Sequence, residues 1–295
     1  MDAFAYVAPT TLEAALAVLA ERAAATARTQ VLAGGTDLLV QLRSVDRDPR
    51  TLLDVKRIPE LGAISVDAEG LLLGAAVPAF EVARHRQIAA HWPGLVEAVD
   101  LIGSSQIQGR ASVGGNLCNA SPAGDTIPAL VANGARCRIA GATGTREQPV
   151  EDFVTGVGRN ALAPGELLVA LRFPAPAPRS ADAYLRFTPR SEMDIAVAGA
   201  GVRVALDADG TVAAARVSIG AVATRALHVP EAGAALVGSR GEPEALAALA
   251  DACSAAARPI TDKRGTEAYR RRVVGVLARR AAAQALARAA EGDAS

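Results

Sequence analysis

The chain is short of cysteine, of aromatic rings and of net charge. Its three cysteines, Cys118, Cys137 and Cys253, stand far apart. They make no CxxC pair, no Cys/His ligand pattern and no even set for disulfides. An iron–sulfur cluster takes about four thiolates, so this chain cannot hold one alone. Phe, Tyr and Trp are 3% of the residues, too few for a surface that stacks nucleobases. Lys plus Arg and Asp plus Glu both total 31, so the formal net charge is zero and no basic excess is left to hold nucleic acid. No apolar run reaches the roughly 18 residues of a membrane span. No basic and then apolar leader opens the chain, and the unpaired cysteines fit a reducing compartment, so the expected location is the cytoplasm.

What is present is 295 residues, 51% hydrophobic and 21% charged, the composition of a folded globular protein. At roughly 150 residues per domain the length predicts two domains. Thr10 and Glu13 are spaced as a capping box, and Leu12, Leu16 and Leu19 continue at helical spacing, so residues 11–24 read as a helix. A short apolar strand, Val31 to Ala33, halts at Gly34-Gly35-Thr36-Asp37, and a second apolar run follows as a helix. Strands are expected at 52–56 and 71–74, helices at 79–90 and 93–101.

Residues 102–125 then run almost without charge, rich in Gly and Ser, with no clean period. Such a backbone must satisfy its N–H and C=O groups internally or on a ligand, and a merely connecting loop of this length is unusual. Strands resume at 136–140 and 167–173. Pro174 to Pro178 is a stiff linker and the expected domain boundary, giving units 1–176 and 177–295. Beyond it, strands at 183–187, 198–206 and 212–219, the last two joined by a turn at Asp207–Gly210, precede helices at 242–257 and 266–290. Strands followed by helices make an α+β pattern.

Two glycine pairs stand out. Gly34-Gly35 lies between strand and helix, where glycine lets a backbone approach a ligand and helix N–H groups favour phosphate. A tight turn with Thr36 or Asp37 capping the helix is the alternative. Ser112-Val113-Gly114-Gly115-Asn116 supplies a second pair, also readable as a turn. Together the two loops could grip the two phosphates of a dinucleotide, chiefly through backbone amides, since Arg110 is the nearest cation. Asp125 precedes an apolar helix and on sequence reads first as its cap, second as an acceptor for a ribose or adenine. Gly199-Ala-Gly201 lacks a third glycine and runs into strand-like sequence, so it is not a dinucleotide fingerprint. His85, His91 and His228 have no nearby partners, and Arg270, Arg271 and Arg272 read as a solvated helix face.

Val31–Leu39, Ile102–Arg110 and Ala111–Pro122 with Asp125 together resemble the FAD-binding medium subunit of molybdenum hydroxylases, the family of xanthine and carbon monoxide dehydrogenases. Val150–Phe153, Ala163–Leu167, Pro259 and Tyr269-Arg270 extend the likeness over essentially the whole chain. The resemblance implies a two-lobed FAD-binding domain, lobes about 1–57 and 58–176 with the flavin between them, and a smaller C-terminal α+β domain of antiparallel sheet and helices. It places non-covalent FAD contacts on Leu32, Ala33, Gly34, Gly35, Thr36 and Asp37, on Ser112, Val113, Gly114, Gly115 and Asn116, and on Asp125. Leu168 matches an apolar ring contact, and Arg186 stands where the family has a Lys near the flavin, keeping charge but not geometry. No acid–base or nucleophilic residue is implied. The chain would relay electrons from two 2Fe–2S clusters on a small partner subunit through FAD to NAD or another acceptor. A large partner would hold the molybdenum cofactor, in a dimer of heterotrimers. Thr36-Asp37 in place of the His-Ser common among carbon monoxide relatives tilts away from that substrate. A free-standing flavin-dependent oxidoreductase, or an assembly subunit without FAD, are the alternatives; the intact glycines count against the second.

Overall fold

A computed structural model describes residues 4–26, 28–44, 50–191 and 193–291. At the N-terminus β1 (Ala5–Val7), β2 (Thr29–Leu32) and β3 (Thr51–Asp54) form a parallel sheet in the order β1-β3-β2. Parallel strands need a crossover, and α1 (Leu12–Ala24) supplies the first, burying Ala15 and Leu19. Its cap is Thr11, whose Oγ accepts from the Ala14 amide at 3.2 Å, one residue later than the Thr10–Glu13 box predicts. Glu13 therefore lies in the first turn, where its charge favours the helix N-terminus. The turn after β2 leads into α2 (Leu38–Ser44).

The second sheet is antiparallel, built from β4 (Ile64–Asp67), β5 (Gly70–Gly74), β6 (Arg136–Gly141) and β7 (Gly144–Pro149). A small ribbon, β8 (Val154–Gly156) with β9 (Arg159–Asn160), precedes the central strand β10 (Leu167–Pro174), and the order is β4-β5-β10-β6-β7. Leu71, Leu73, Leu171 and Phe173 meet Trp92, Leu95 and Phe153 in its core. The helix expected over 79–90 is two, α3 (Ala79–Arg84) and α4 (Arg86–His91). His85 breaks it: its backbone is extended and its Nδ1 accepts from the Ile88 amide, capping α4. Next comes α5 (Pro93–Asp100). The uncharged stretch holds two short helices, α6 (Ser105–Gln108) and α7 (Val113–Asn119), joined by turns, and is followed by α8 (Thr126–Ala132) and α9 (Val150–Phe153).

The C-terminal sheet is an antiparallel meander of β11 (Ser180–Phe187), β12 (Ala198–Leu206), β13 (Val212–Gly220) and β14 (Leu227–His228). The Asp207–Gly210 turn joins β12 to β13, with Gly210 at φ +86°. Gly201 is no nucleotide loop: it lies within β12, where a Cβ would meet the Pro128 carbonyl of α8 at 2.7 Å. Helices α10 (Pro230–Ala234), α11 (Pro243–Ala256) and α12 (Glu267–Glu291) back the sheet. The alanines of α12 are its packing face, with Ala278, Ala281, Ala282, Ala285 and Ala289 buried. Arg270 is not solvated as its neighbours suggest. Its side chain is 5% exposed, donates to the carbonyls of Val197 and Ala221, and pairs with Asp262 at 2.7 Å.

Polar contacts bind this sheet to α5 and α8. Asp182 is fully buried; it accepts from the Gly94 amide at 3.0 Å and from Asn133 Nδ2 at 2.6 Å, and Asn133 in turn accepts from Arg203. Glu97 of α5 accepts from the Tyr184 amide and from Gln284 and Arg288 of α12. Replacing Asp182 with Ala strands two buried donors at this junction. Urea unfolding of Asp182→Ala should therefore show a loss of about 3 kcal/mol or more.

Candidate functional site

Between the first turn and α7 the fold opens a cleft of about 610 Å³. What brings the two walls together is missing side chain. A Cβ on Gly34 would lie 2.0 Å from the Arg110 carbonyl oxygen, so the first glycine turn rests on the main chain leading into α7. Gly35 adopts φ +79°, a conformation glycine takes without cost. A Cβ on Gly114 would lie 2.4 Å from the Ala75 carbonyl oxygen, at the end of β5.

The second glycine pair is not a turn. Ser112 is the extended N-cap of α7, its Oγ accepting from the Gly115 amide at 3.0 Å, and both glycines lie in the first helical turn. Local sequence reads paired glycines as a break, whereas here the need for Gly114 comes from Ala75, distant in sequence, and a Cβ on Gly115 would meet only the Ser112 hydroxyl, at 3.0 Å. Ala33, Gly34, Gly35, Thr36 and Asp37 line one wall, and Ser112, Gly114, Gly115 and Asn116 the other. Leu168 of β10 faces the cleft with Leu167, Val55, Leu61, Ala76 and Ile102, an apolar stretch suited to a flat ring system. Of these apolar residues Ile102, Leu167 and Leu168 fall on residues the resemblance marks; Val55, Leu61 and Ala76 carry no motif. Among the described residues the wall holds no Lys, Arg or His.

Four of the residues expected at the site do not line this cleft. Leu32 ends β2 and Val113 is buried at the start of α7. Asp125 and Arg186 pair with each other. Asp125 does not cap α8: its own backbone is helical and its carboxylate makes no cap bond. Arg186 of β11 takes it instead, Nη1 to Oδ2 at 2.6 Å, with Tyr184 Oη donating to Oδ1 at 3.4 Å. The two charged side chains are 5% and 13% exposed. Burial pushes the Asp125 carboxyl up against the pull of Arg186, and burial puts the Tyr184 hydroxyl well above its ordinary value. Arg186 also borders a polar recess of about 400 Å³ with Gly103, Ser104, Ser105 and Ser191.

Residues 2–176 match the family described as FAD binding domain in molybdopterin dehydrogenase, and residues 183–285 the one described as CO dehydrogenase flavoprotein C-terminal domain. The nicotinate dehydrogenase FAD-subunit of Eubacterium barkeri is 31% identical over 242 residues, 81% of each chain. The carbon monoxide dehydrogenase medium chain of Hydrogenophaga pseudoflava is 31% identical over 287 residues, 97% of this chain and 98% of that one. The solved structure of carbon monoxide dehydrogenase from that organism matches with a TM-score of 0.90 at 32% identity, covering 97% and 98% of the two chains. Quinoline 2-oxidoreductase from Pseudomonas putida 86 matches with 0.88 at 28% identity over the same shares.

Two outcomes follow from this geometry. Gly34→Ala forces the walls apart and should lower stability by about 2–3 kcal/mol in thermal unfolding, whereas Gly62→Ala, whose Cβ meets nothing nearer than 3.8 Å, should change it by less than about 0.5 kcal/mol. Arg186→Leu leaves the Asp125 carboxylate buried and unpaired, at a cost of about 3–5 kcal/mol while it is ionised. The folded carboxyl, already raised, rises further, so the folded state holds its proton more tightly than the unfolded chain. The deficit should therefore be largest at alkaline pH and shrink as pH falls through that carboxyl's titration, which unfolding curves across pH will measure.

Proposed function

The chain belongs to the family of FAD-binding subunits of molybdenum hydroxylases, and from that premise we propose that it relays electrons from the 2Fe–2S clusters of a small partner subunit, through FAD, to NAD or another acceptor. The observation that carries this is the cleft itself: two glycine-bearing walls in main-chain contact, lined by amides and small side chains beside an apolar stretch. Bound there, FAD supplies the ability to take electrons singly from a cluster and pass them on as a pair.

This chain's residues hold and orient. The amides of Gly34 to Asp37 present N–H groups to a diphosphate, which suits a wall with no cation among the described residues, whereas those of Gly115 and Asn116 are taken by the Ser112 hydroxyl and carbonyl oxygens. Ser112, by capping α7, fixes the start of that helix at the second wall. Ala33 and Leu168 border the space for the cofactor, and Leu32 and Val113 support the two loops from behind. Asp125 and Arg186, locked together, are assigned to the flavin side by the family pattern; their pairing leaves no free charge there. No residue is asked to move a proton. The unit of residues 1–176, with lobes 1–57 and 58–176, forms the FAD domain, and 177–295 the C-terminal domain.

Relatives named as a medium chain and as an FAD-subunit support partner subunits. In this reading a large subunit carries the molybdenum cofactor and a small one the clusters, in a dimer of heterotrimers in the cytoplasm. No described helix is long and apolar enough to cross a membrane. The purified chain should be yellow and release FAD on denaturation, and anaerobic NADH should bleach it. Bleaching by dithionite but not by NADH removes NAD as the acceptor. A colourless chain that FAD cannot reconstitute removes the proposal.

A further inference from the structure

Part of the cleft's apolar face is carried by a turn that packing alone does not fix. Leu162, Leu167 and Leu168 line the cleft, and residues 161–166 lead from β9 into β10. Ala163 and Pro164 in that turn are exposed. Its backbone closes through the Glu166 amide, which donates to the Ala163 carbonyl at 3.0 Å, with Gly165 at φ +87°.

The turn is gripped from β7 by Arg146. Nε and Nη2 fork onto the two oxygens of the Glu166 carboxylate at 2.7 Å each, and Nη2 also donates to the Ala161 carbonyl at 3.0 Å. Glu166 Oε2 in turn accepts from the Ala163 amide at 2.8 Å. Nη1 donates to Gln148 Oε1, which steadies the guanidinium on its own strand. One side chain thus holds the first and last residues of the turn. Sheet register places it there: Arg146 lies opposite Ile139 of β6, and Ile139 opposite Leu168 of β10. A second tie runs to α7. Asn160 Nδ2 donates to the Cys118 carbonyl at 2.9 Å, and its Oδ1 accepts from the Leu162 amide at 3.1 Å. Leu162 therefore sits between two fixed points. A partly exposed ion pair adds little stability, but a two-bond fork shared with a carbonyl fixes direction.

We propose that Arg146 is a positioning residue for the flavin ring: by closing the turn at residues 161–166 it sets Leu162, Leu167 and Leu168 against the ring without touching the cofactor. This rests on the FAD-subunit function above. Arg146 does not line the cleft, so it acts through the turn. Loosening the turn admits water beside the ring and leaves the glycine walls, fixed by the contacts of Gly34 and Gly114, as they are. The effect falls on the flavin half of the dinucleotide and spares the ADP half.

The test titrates FAD and ADP into the flavin-free full chain as wild type, Arg146→Met, Arg146→Lys and Glu166→Gln. Arg146→Met keeps the apolar stem and removes the fork. It should weaken FAD roughly 10-fold, the worth of one charge-assisted contact, and leave ADP within about 2-fold. Arg146→Lys, with charge but no fork, and Glu166→Gln should fall between it and wild type. At saturating FAD the shoulder on the visible flavin band, which apolar surroundings sharpen, should blur in Arg146→Met toward that of free FAD. In the flavin-free chain the Ala163 amide should exchange its hydrogen faster. Equal losses of FAD and ADP, no loss of FAD, an unchanged band or unchanged exchange overturns the proposal and leaves Arg146 a brace of the fold. If Arg146→Met does not fold, Arg146→Lys and Glu166→Gln are read by the same criteria. A wild-type chain that binds no FAD fails the FAD function itself, before any variant is compared.

Discussion

The contact of the Gly34 backbone with the Arg110 carbonyl leaves no space for a side chain, and the cleft exists because of it. It fixes the turn after β2 against the entrance to α7, although the two segments belong to different sheets. Gly114 repeats the device one layer deeper, seating α7 on the Ala75 carbonyl. Main chain packed on main chain leaves amides, not side chains, at the surface of the gap. A wall made this way presents many weak donors at fixed positions, which suits a spread anionic group better than one lysine would.

The remainder of the molecule braces these walls. The Ala221 amide at the end of β13 donates to the Pro122 carbonyl, and Arg186 of β11 holds Asp125, so the C-terminal sheet grips the segment running from α7 to α8 at both ends. Asp182 and Glu97 tie the same sheet to α5. These junctions are polar and buried, and each carboxylate meets at least two donors. Buried networks satisfied in this way set one geometry at the expense of some stability, because every member must be in place. The C-terminal sheet is thus a clamp on the segment that follows α7, the helix of the second wall.

Features set by neighbours in sequence were readable there: the strand, glycine turn and helix around Gly34, the Asp207–Gly210 hairpin, the amphipathic first helix. Those set at a distance were not. Gly114 and Gly115 look like a break until Ala75 is known to press on Gly114. Asp125 looks like a cap until Arg186, 61 residues later, takes its carboxylate. Arg270 looks solvated beside Arg271 and Arg272, but the carbonyls of Val197 and Ala221 need a donor where α12 begins. In the cleft, the glycine-bearing walls carried a signal in their motifs. The apolar residues Val55, Leu61 and Ala76 carried none, since each is an ordinary core residue in its own element.

The scarcity of cysteine acquires a meaning from the same geometry. Cys137 and Cys253 are buried, and burial pushes both thiols up, that of Cys253 to about 12. Cys118 reaches the cleft wall, but its thiol is raised as far. A thiol does redox chemistry as a thiolate, and none of the three is near that state at neutral pH. The proposed relay therefore draws nothing from this chain's side chains. Its current rests on what the cleft holds and on clusters carried by another subunit, and the protein's own contribution is a rigid seat without a cation among its described residues.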